Sequence, residues 1–293
     1  MTVELRPARD TGTAPVRPVR LGRVDYINVL PVYLGLERNG TRCDVVKGVP
    51  TELNRQLDAR RIDCAPVSAI EVARHAGAYA VLPGLSISSV GAVGSSMVIS
   101  KVPPAQLDGR SVALTTHSAA SLAYFRILCA KLWRVSPHMV DAAPDLDAML
   151  RDHDAAVLIG NPALRAVHAA EQRGDLHVID LGAAWYELTG LPAVFALWAL
   201  WRDWAAQQPD AVQLLREDLE RGRAWGLHRD NRAALVARGA ADTGLPAPDI
   251  DAYFARQDYR LSADHERSIL RYFALLAELD LAPPLHTLEL AAP

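Results

Sequence analysis

Small polar side chains follow three predicted strands at the points where helices are predicted to begin. They are the segment Thr115-Thr-His-Ser118, Ser68, and Asn161, which precedes Pro162. Backbone N–H groups and the positive end of the helix dipole point outward at a helix N-terminus, so this position attracts carboxylates. The pattern therefore predicts an anion site. The same residue types also cap helices, and Ser68 with Glu71 matches the capping-box pattern, so the segments alone leave both roles open.

Two other polar stretches are candidates for ligand contact. Asn28 lies in the decapeptide GRVDYINVLP at residues 22–31 and follows the first predicted strand. It fits a turn residue as well as a ligand contact. Ser95 and Ser96 end the small-residue segment GAVGSS, which allows either a close ligand approach or a tight strand corner. Asp25 precedes Asn28 and is expected to face solvent.

Several common catalytic motifs are missing from the sequence. There is no G-x-x-x-x-G-K-[ST], no G-x-G-x-x-G after a strand, no H-E-x-x-H and no G-x-S-x-G. The nine histidines have no convincing ligand spacing, so neither a metal nor a cofactor is predicted. The three cysteines, Cys43, Cys64 and Cys129, include no C-x-x-C pair. They predict buried thiols in a reducing compartment rather than a disulfide framework.

Strand-like and helix-like stretches alternate along the chain. Strands are predicted at residues 19–24, 44–47, 63–66, 85–89, 94–100, 110–114, 154–159, 176–180 and 192–199. Helices are predicted at 30–38, 50–60, 68–76, 118–132, from 161 onward, and at 209–226, 230–240, 248–256 and 263–280. This order is typical of an α/β fold with mostly parallel sheets covered by helices. Ligands of such folds bind at the carboxyl ends of the strands, where the polar residues above lie.

The composition argues against several classes of partner. The 293 residues are 50% hydrophobic, and 31 basic side chains stand against 34 acidic ones, for a net charge of −3. This balance gives no reason to expect a nucleic acid or a membrane surface as partner. The N-terminus lacks a signal-peptide pattern, and residues 1–18 are expected to form a flexible arm. The apolar stretch Leu191–Trp201 is too short to span a bilayer, so a cytoplasmic protein is predicted.

Five stretches of the chain match one protein family in order. They are GRVDYINVLPVYLGLE at 22–37, DCAPVSAIEVAR at 63–74, LPGLSISSVGAVGSSMVISKVPPAQLDGRSVALTTHSAAS at 82–121, AAVLIGNPAL at 155–164 and DLGAAWYELTGLPAVFALWA at 180–199. They resemble the MqnA family, the chorismate dehydratases of the futalosine route to menaquinone. The early Y-x-N-x-L-P and the late W-x-x-x-T-G-L-P-x-V-F-A-x-W are specific as a pair, and the similarity covers roughly residues 19–280.

The resemblance implies a fold and a reaction. The fold is α/β, a two-lobed type II periplasmic-binding-protein-like fold with a central ligand cleft. Lobe one would comprise residues 19–96 plus 200–293, and lobe two residues 97–199. The reaction removes water from chorismate and gives 3-[(1-carboxyvinyl)oxy]benzoate. Because aromatisation makes this step downhill, the enzyme mainly has to hold the substrate and ease the departure of hydroxide.

The resemblance also assigns roles to individual residues. Asn28 and Ser95, or Ser96 if the register shifts, would hydrogen-bond the reacting ring and its leaving hydroxyl. A carboxylate would be held in lobe two by Thr116, His117, Ser118 and Ser121. Further candidates for substrate contact, from their positions after strands, are Ser68, Thr115 and Asn161. The strongest motifs contain no acid or base in an obvious position, so the substrate's own enolpyruvyl carboxylate is hypothesised to take the proton.

One departure and two alternatives remain open. Asn161 stands where the family is expected to have aspartate; asparagine can still cap a helix and accept a hydrogen bond, but it carries no charge. The nearest alternative is the sister enzyme of the pathway, which forms 1,4-dihydroxy-6-naphthoate and whose chemistry is associated with a histidine. His117 is the histidine expected near the cleft. A non-catalytic cytoplasmic binder of small carboxylic acids is the alternative of another class, and the oligomeric state is open.

Overall fold

The computed structural model describes residues 17–291, so the arm predicted for residues 1–18 lies almost entirely outside the described residues. Within this range the chain forms two five-stranded sheets with helices packed around them. The strands are β1 (Val19–Val24), β2 (Cys43–Gly48), β3 (Cys64–Ser68), β4 (Tyr79–Ser89), β5 (Ser96–Ser100), β6 (Ser111–Thr115), β7 (His138–Ala142), β8 (Ala155–Ile159), β9 (His177–Asp180) and β10 (Ala193–Trp201). The helices are α1 (Leu30–Asn39), α2 (Pro50–Asp58), α3 (Ala69–Arg74), α4 (Ala120–Leu128), α5 (Leu146–Asp152), α6 (Gly160–Arg173), α7 (Leu181–Thr189), α8 (Arg202–Gln207), α9 (Pro209–Leu227), α10 (Arg232–Thr243), α11 (Ala247–Arg256) and α12 (Ala263–Glu278).

Each sheet is mixed rather than mostly parallel. The first sheet has the strand order β2-β1-β3-β10-β4, and the second has the order β7-β6-β8-β5-β9. β10 runs antiparallel to both β3 and β4, and β5 runs antiparallel to both β8 and β9. These two strands are the first that the chain forms after it crosses from one sheet to the other. The prediction of mostly parallel sheets is corrected at these strands, because each one enters its sheet against the direction of its neighbours.

The second crossing between the sheets lies before β10. This strand belongs wholly to the first sheet, where Ala193 pairs with Ser89 and Trp201 with Tyr79. The predicted lobe division placed residues up to 199 in lobe two, and the position of β10 contradicts it. The apolar run Leu191–Trp201 contains no polar break, so its pattern carries no signal for the crossing. We propose the boundary between α7 and β10 instead.

Most predicted elements are confirmed to within a few residues, although β4 begins at Tyr79 rather than Leu85. The predictions omitted β7, α5, α7 and α8. β7 is a short edge strand with exposed polar positions, so it lacks the apolar alternation that marks a strand. The helix predicted at 118–132 begins at Ala120 and ends in a π-helical turn, Cys129–Trp133. None of the helices in residues 17–291 is long and apolar enough to cross a membrane.

The two sheets share part of their core. Tyr124 of α4 and Trp185 of α7 are fully buried in the large apolar cluster around the first sheet. The Tyr124 hydroxyl donates to the carbonyl oxygen of Val194 at 2.9 Å and accepts from its N–H at 3.0 Å. The indole of Trp185 donates to Ser268 of α12 at 3.0 Å. Helices that flank the second sheet thus pack directly on β10 and on the C-terminal helix.

α1 and α9 pack closely because glycines face backbone at their contact. A Cβ atom at Gly35 would lie 2.1 Å from the carbonyl oxygen of Gly222, and a Cβ atom at Gly226 would lie 2.1 Å from that of Pro31. Such distances leave no room for any side chain. α1 directly follows the 3₁₀ turn Ile27–Val29. The contact between these glycines and the backbone therefore also positions the turn. Asn28, a predicted site residue, lies in that turn.

Candidate active site

A cavity of about 550 Å³, its open mouth included, lies between the two sheets. Both sheets and the segments that join them to helices contribute to its walls. The polar residues in its lining are Tyr26, Asn28, Ser68, Ser95, Ser96, Ser118, Ser121 and Gln257. The other described lining residues are apolar or glycine, and no described lining residue has a charged side chain. The cavity therefore offers hydroxyl and amide groups in apolar surroundings.

The cavity lies where strands end and helices begin, as predicted. β1 leads into Asn28, β3 ends at Ser68, and β6 leads into Ser118. α4 and α6 begin with the lining residues Ala120 and Gly160. Their N-termini therefore face the cavity, and the positive ends of both helix dipoles favour an anionic ligand there.

The backbone of Asn28 is fixed by a hydrogen bond, whereas its side-chain oxygen has no partner among the described residues. Its carbonyl oxygen accepts a hydrogen bond from the Tyr259 hydroxyl at 2.6 Å. Its side-chain Oδ1 is buried and has no hydrogen-bond partner among residues 17–291. A buried acceptor without a partner costs free energy. The turn has no side-chain capping bond, so the Asn28 amide is available to a ligand, with an Nδ2 that donates and an Oδ1 that accepts.

Ser95 and Ser96 both line the cavity and are both buried. The Ser95 hydroxyl accepts a hydrogen bond from the Tyr253 hydroxyl at 3.1 Å, so its own proton is available to another acceptor. The Ser96 Oγ is buried and accepts or donates no hydrogen bond within the described range of the chain. Both serines thus stay candidates for the catalytic role, and of the two Ser96 has the unpartnered hydroxyl.

Three further serines line the cavity. The Ser118 hydroxyl accepts from the N–H of Ser121 at 3.1 Å, so Ser118 supports the first turn of α4 from just outside the N-cap position and also lines the cavity. Ser68 occupies the N-cap position of α3, but its side chain makes no capping bond. Glu71 instead pairs with Arg74 at 2.9 Å. The capping box predicted for Ser68 and Glu71 is therefore wrong, and the Ser68 hydroxyl is not used by the helix.

Four predicted substrate contacts lie outside the cavity lining. They are Thr115, Thr116, His117 and Asn161. The Thr115 hydroxyl accepts from the N–H of His117 at 3.3 Å, and Thr116 is exposed. Asn161 is the second residue of α6 and not its cap, because the helix begins one residue earlier. Its Oδ1 accepts from the N–H of Ile27 at 3.1 Å, so it joins the second sheet to the first. Contact of these four with substrate stays a prediction.

Tyr26 bridges the cleft between the sheets. Its hydroxyl lies 3.0 Å from Nδ1 of His117. Its ring packs against Gly160, where a Cβ atom would lie 2.6 Å from the ring. Burial and the negative charge of Asp25 raise the pKa of Tyr26 to about 12, against the opposing charge of Arg165. The phenol is therefore neutral at physiological pH.

We call residues 93–96 the serine segment. Three side chains that the sequence did not identify as part of the site hold it in place. Asp180 caps α7 and also accepts from the first two N–H groups of the segment at 2.6–3.0 Å. Tyr253 of α11 donates to the first serine. Gln257, just after α11, donates to the carbonyl oxygen of Val93 at 2.9 Å. Asp180 could have been found from the sequence Asp-Leu-Gly, since aspartate before a helix is typical of an N-cap. No local pattern marks Tyr253 or Gln257.

Replacing Asp180 by alanine is expected to lower the free energy of unfolding by about 2–3 kcal/mol, because four backbone N–H groups lose a carboxylate acceptor. The serine segment also loses its anchor, so turnover should fall. Denaturant unfolding and steady-state kinetics measure the two effects. The control is Asp175→Ala, an exposed carboxylate paired with Arg173, which should change neither. An Asp180→Ala variant of wild-type stability would show that the carboxylate does not hold the segment.

Residues 19–278 match the sequence profile of a protein family described as menaquinone biosynthesis. The chain belongs to this family. It is 34% identical over 220 residues to the chorismate dehydratase of Thermus thermophilus, an alignment that covers 71% of this chain and 78% of that protein. It is 32% identical over 181 residues to the chorismate dehydratase of Campylobacter jejuni, which covers 60% of this chain and 64% of that protein. Both of these relatives are named chorismate dehydratase.

Solved structures confirm the fold expected for a member of this family. A protein from Archaeoglobus fulgidus aligns with a TM-score of 0.74 at 17% identity, covering 91% of this chain and 99% of that chain. The periplasmic aliphatic sulphonate binding protein of Escherichia coli aligns with a TM-score of 0.68 at 17% identity, covering 95% and 93%. At these identities the likeness shows the fold alone. The periplasmic-binding-protein-like fold is thus confirmed.

Proposed function

We propose that this protein is a chorismate dehydratase, which eliminates water from chorismate to give 3-[(1-carboxyvinyl)oxy]benzoate in menaquinone biosynthesis. The observation that carries the proposal is the uncharged cavity between the sheets, in which Asn28 and Ser96 keep buried polar atoms without partners. The relatives named chorismate dehydratase support the choice of reaction.

The reaction needs fixed hydrogen bonds more than it needs a strong acid or base. The C3 hydrogen leaves as a proton, its electron pair enters the new aromatic ring, and the C4–O bond breaks to release hydroxide. Negative charge therefore develops on the departing oxygen. Donors held in place beforehand, in a site of low polarity, stabilise such charge most effectively. We assign this role to the Nδ2 group of Asn28 and to the hydroxyl of Ser95 or Ser96.

The substrate itself is the proposed proton acceptor. Among the described lining residues Tyr26 is the ionisable one, and its raised pKa keeps it protonated at neutral pH. Asp25, the acid nearest to Asn28 in the sequence, is exposed. The enolpyruvyl carboxylate of chorismate is attached through oxygen to C3, and it reaches the C3 proton without a diffusive encounter. The proton and the released hydroxide together make up the water that is lost.

The carboxylates of a dianionic substrate are proposed to lie at the starts of α4 and α6. The hydroxyls of Ser118 and Ser121 line the cavity there. A helix N-terminus stabilises a nearby anion by about 0.3–1 kcal/mol, and two such ends face this cavity. Helix ends and hydroxyls thus take the place of the cation that the lining does not provide.

The rate constant kcat/KM for chorismate is expected to stay constant between about pH 6 and pH 9. The substrate carboxylates are ionised throughout this range, and Tyr26 stays neutral because its pKa is raised to about 12. Initial rates across this range check the expectation. A limb with an apparent pKa near about 6.5 would indicate a histidine, and loss of that limb in a His117→Gln variant would identify it.

The sister reaction is the second candidate function, and one observation favours it. His117 does not line the cavity, but it reaches the cleft through its hydrogen bond with Tyr26. A non-catalytic binder of carboxylic acids would use the same cavity without turnover. Location in the cytoplasm stays a prediction for all three.

Incubation with chorismate separates these functions. A dehydratase should form a product that is one water lighter than chorismate and has the ultraviolet absorbance of a benzoate, as mass spectrometry and absorbance would show. A receptor would bind chorismate and return it unchanged. The sister enzyme should leave chorismate unconverted. Unchanged chorismate would therefore overturn the proposed function.

A further inference from the structure

One polar atom of the Gln257 side chain has no hydrogen-bond partner in the part of the chain that the structure describes. Gln257 directly follows α11 and lines the cavity. Its Nε2 donates to the carbonyl oxygen of Val93 at 2.9 Å and to that of Tyr253 at 3.4 Å. Its Oε1 is buried, and no described residue donates a hydrogen bond to it. One end of the amide is thus fixed and the other end is free.

The two neighbours determine the orientation of this amide. Carbonyl oxygens accept hydrogen bonds and cannot donate them, so the nitrogen of Gln257 must face Val93 and Tyr253. The free end is therefore the oxygen, which can only accept. A buried acceptor without a donor costs free energy. The partner that this position lacks is a hydrogen-bond donor.

Chorismate carries one donor of this kind. Its two carboxylates are ionised at neutral pH and accept hydrogen bonds, whereas its ring hydroxyl donates one. We propose that Oε1 of Gln257 accepts a hydrogen bond from the ring hydroxyl that leaves in the reaction, an inference that rests on the proposed function. Gln257 thereby distinguishes substrate from product, since the product has lost that hydroxyl. The acceptor is unpaired again after the reaction, which favours product release.

The variant Gln257→Met tests this contact, because it keeps the length of the side chain and removes the acceptor. It also removes the donor to Val93, so the affinity for product is measured alongside to separate the two losses. kcat/KM for chorismate is expected to fall about threefold to tenfold, mainly through a higher KM. The inhibition constant of 3-[(1-carboxyvinyl)oxy]benzoate is expected to stay within about twofold of the wild-type value. Gln172→Met, on the exposed surface of α6, is the matched control and should change neither constant.

Three outcomes would overturn the inference. Equal losses of substrate and product affinity would mean that Gln257 only holds Val93 in place. Gln257 also borders a surface groove lined by Val90 and Arg256. Unchanged kinetics would mean that Oε1 binds water from that groove. Wild-type protein that leaves chorismate unconverted would overturn the proposed function and this contact with it. Wild-type turnover is measured first, so failure of the proposed function is recognised separately.

Discussion

Replacing Asn28 by alanine is expected to lower kcat/KM for chorismate by about 100-fold or more, because it removes a fixed donor, Nδ2 of the amide, from the site of developing charge. The free energy of unfolding should change by less than about 1 kcal/mol, because Oδ1 of Asn28 is already unpartnered and its removal breaks no bond. Steady-state kinetics and denaturant unfolding on the same preparation separate the two effects. A loss of activity without a loss of stability is the signature of a residue arranged for substrate.

Asn54 provides a matched control for this variant. Its Oδ1 is also buried without a partner, but it lies on α2 outside the cavity lining. Asn54→Ala should therefore keep kcat/KM within about twofold of the wild type. Ser95→Ala and Ser96→Ala should both lose activity, and the larger loss identifies the serine nearer the leaving hydroxyl. Near-wild-type kcat/KM in both Asn28→Ala and Ser95→Ala would show that the site assignment is wrong.

Gly226→Ala is expected to lower the free energy of unfolding by about 2–3 kcal/mol, although alanine favours helices more than glycine does. The new methyl group would lie 2.1 Å from the carbonyl oxygen of Pro31. Backbone on both sides of this contact leaves no flexible side chain to move aside. α1 must therefore shift away from α9, and the turn that carries Asn28 shifts with it.

The variant should lose activity as well as stability, since the turn before α1 carries the proposed catalytic amide. Ala224→Val on the exposed side of α9 is the control, with an expected cost below about 0.7 kcal/mol from helix propensity alone. Thermal and denaturant unfolding measure both variants. A Gly226→Ala protein as stable as the wild type would mean that α1 and α9 are not held at this distance.

Local patterns predicted most of the fold. The strand Val19–Val24 and the helix that begins at Pro50 are set by apolar spacing and by proline at a first helical turn. The direction of β5 and β10 was not predictable in this way. A strand has the same local pattern whichever way its neighbours run, so the mixed sheets depend on long-range pairing.

The candidate site was predictable where it follows strand ends. Asn28, Ser68 and Ser118 all lie in the cavity lining because each comes just after a strand or ends one. The competing roles were decided by tertiary contacts. Glu71 binds Arg74 and leaves Ser68 without its predicted capping partner, whereas the Ser118 hydroxyl does accept from a backbone N–H of α4.

The contribution of α11 was not predictable. The contact between Tyr253 and Ser95 spans 158 positions of the chain, and it exists because the C-terminal helices fold back onto the serine segment. α11 has an ordinary amphipathic pattern that predicts burial of Tyr253 and Phe254 and nothing more. The free acceptor of Gln257 likewise depends on the position of the Val93 carbonyl group, which only the folded chain provides.

A crystal structure with 3-[(1-carboxyvinyl)oxy]benzoate bound tests the central claim most directly, namely that chorismate is dehydrated in the uncharged cavity between the sheets. We predict that the product lies within hydrogen-bond distance of Asn28 and Ser96, with a carboxylate at the start of α4. Product found instead in the neighbouring charged pocket, which is lined by Arg23, Lys47 and Arg238, would contradict this claim.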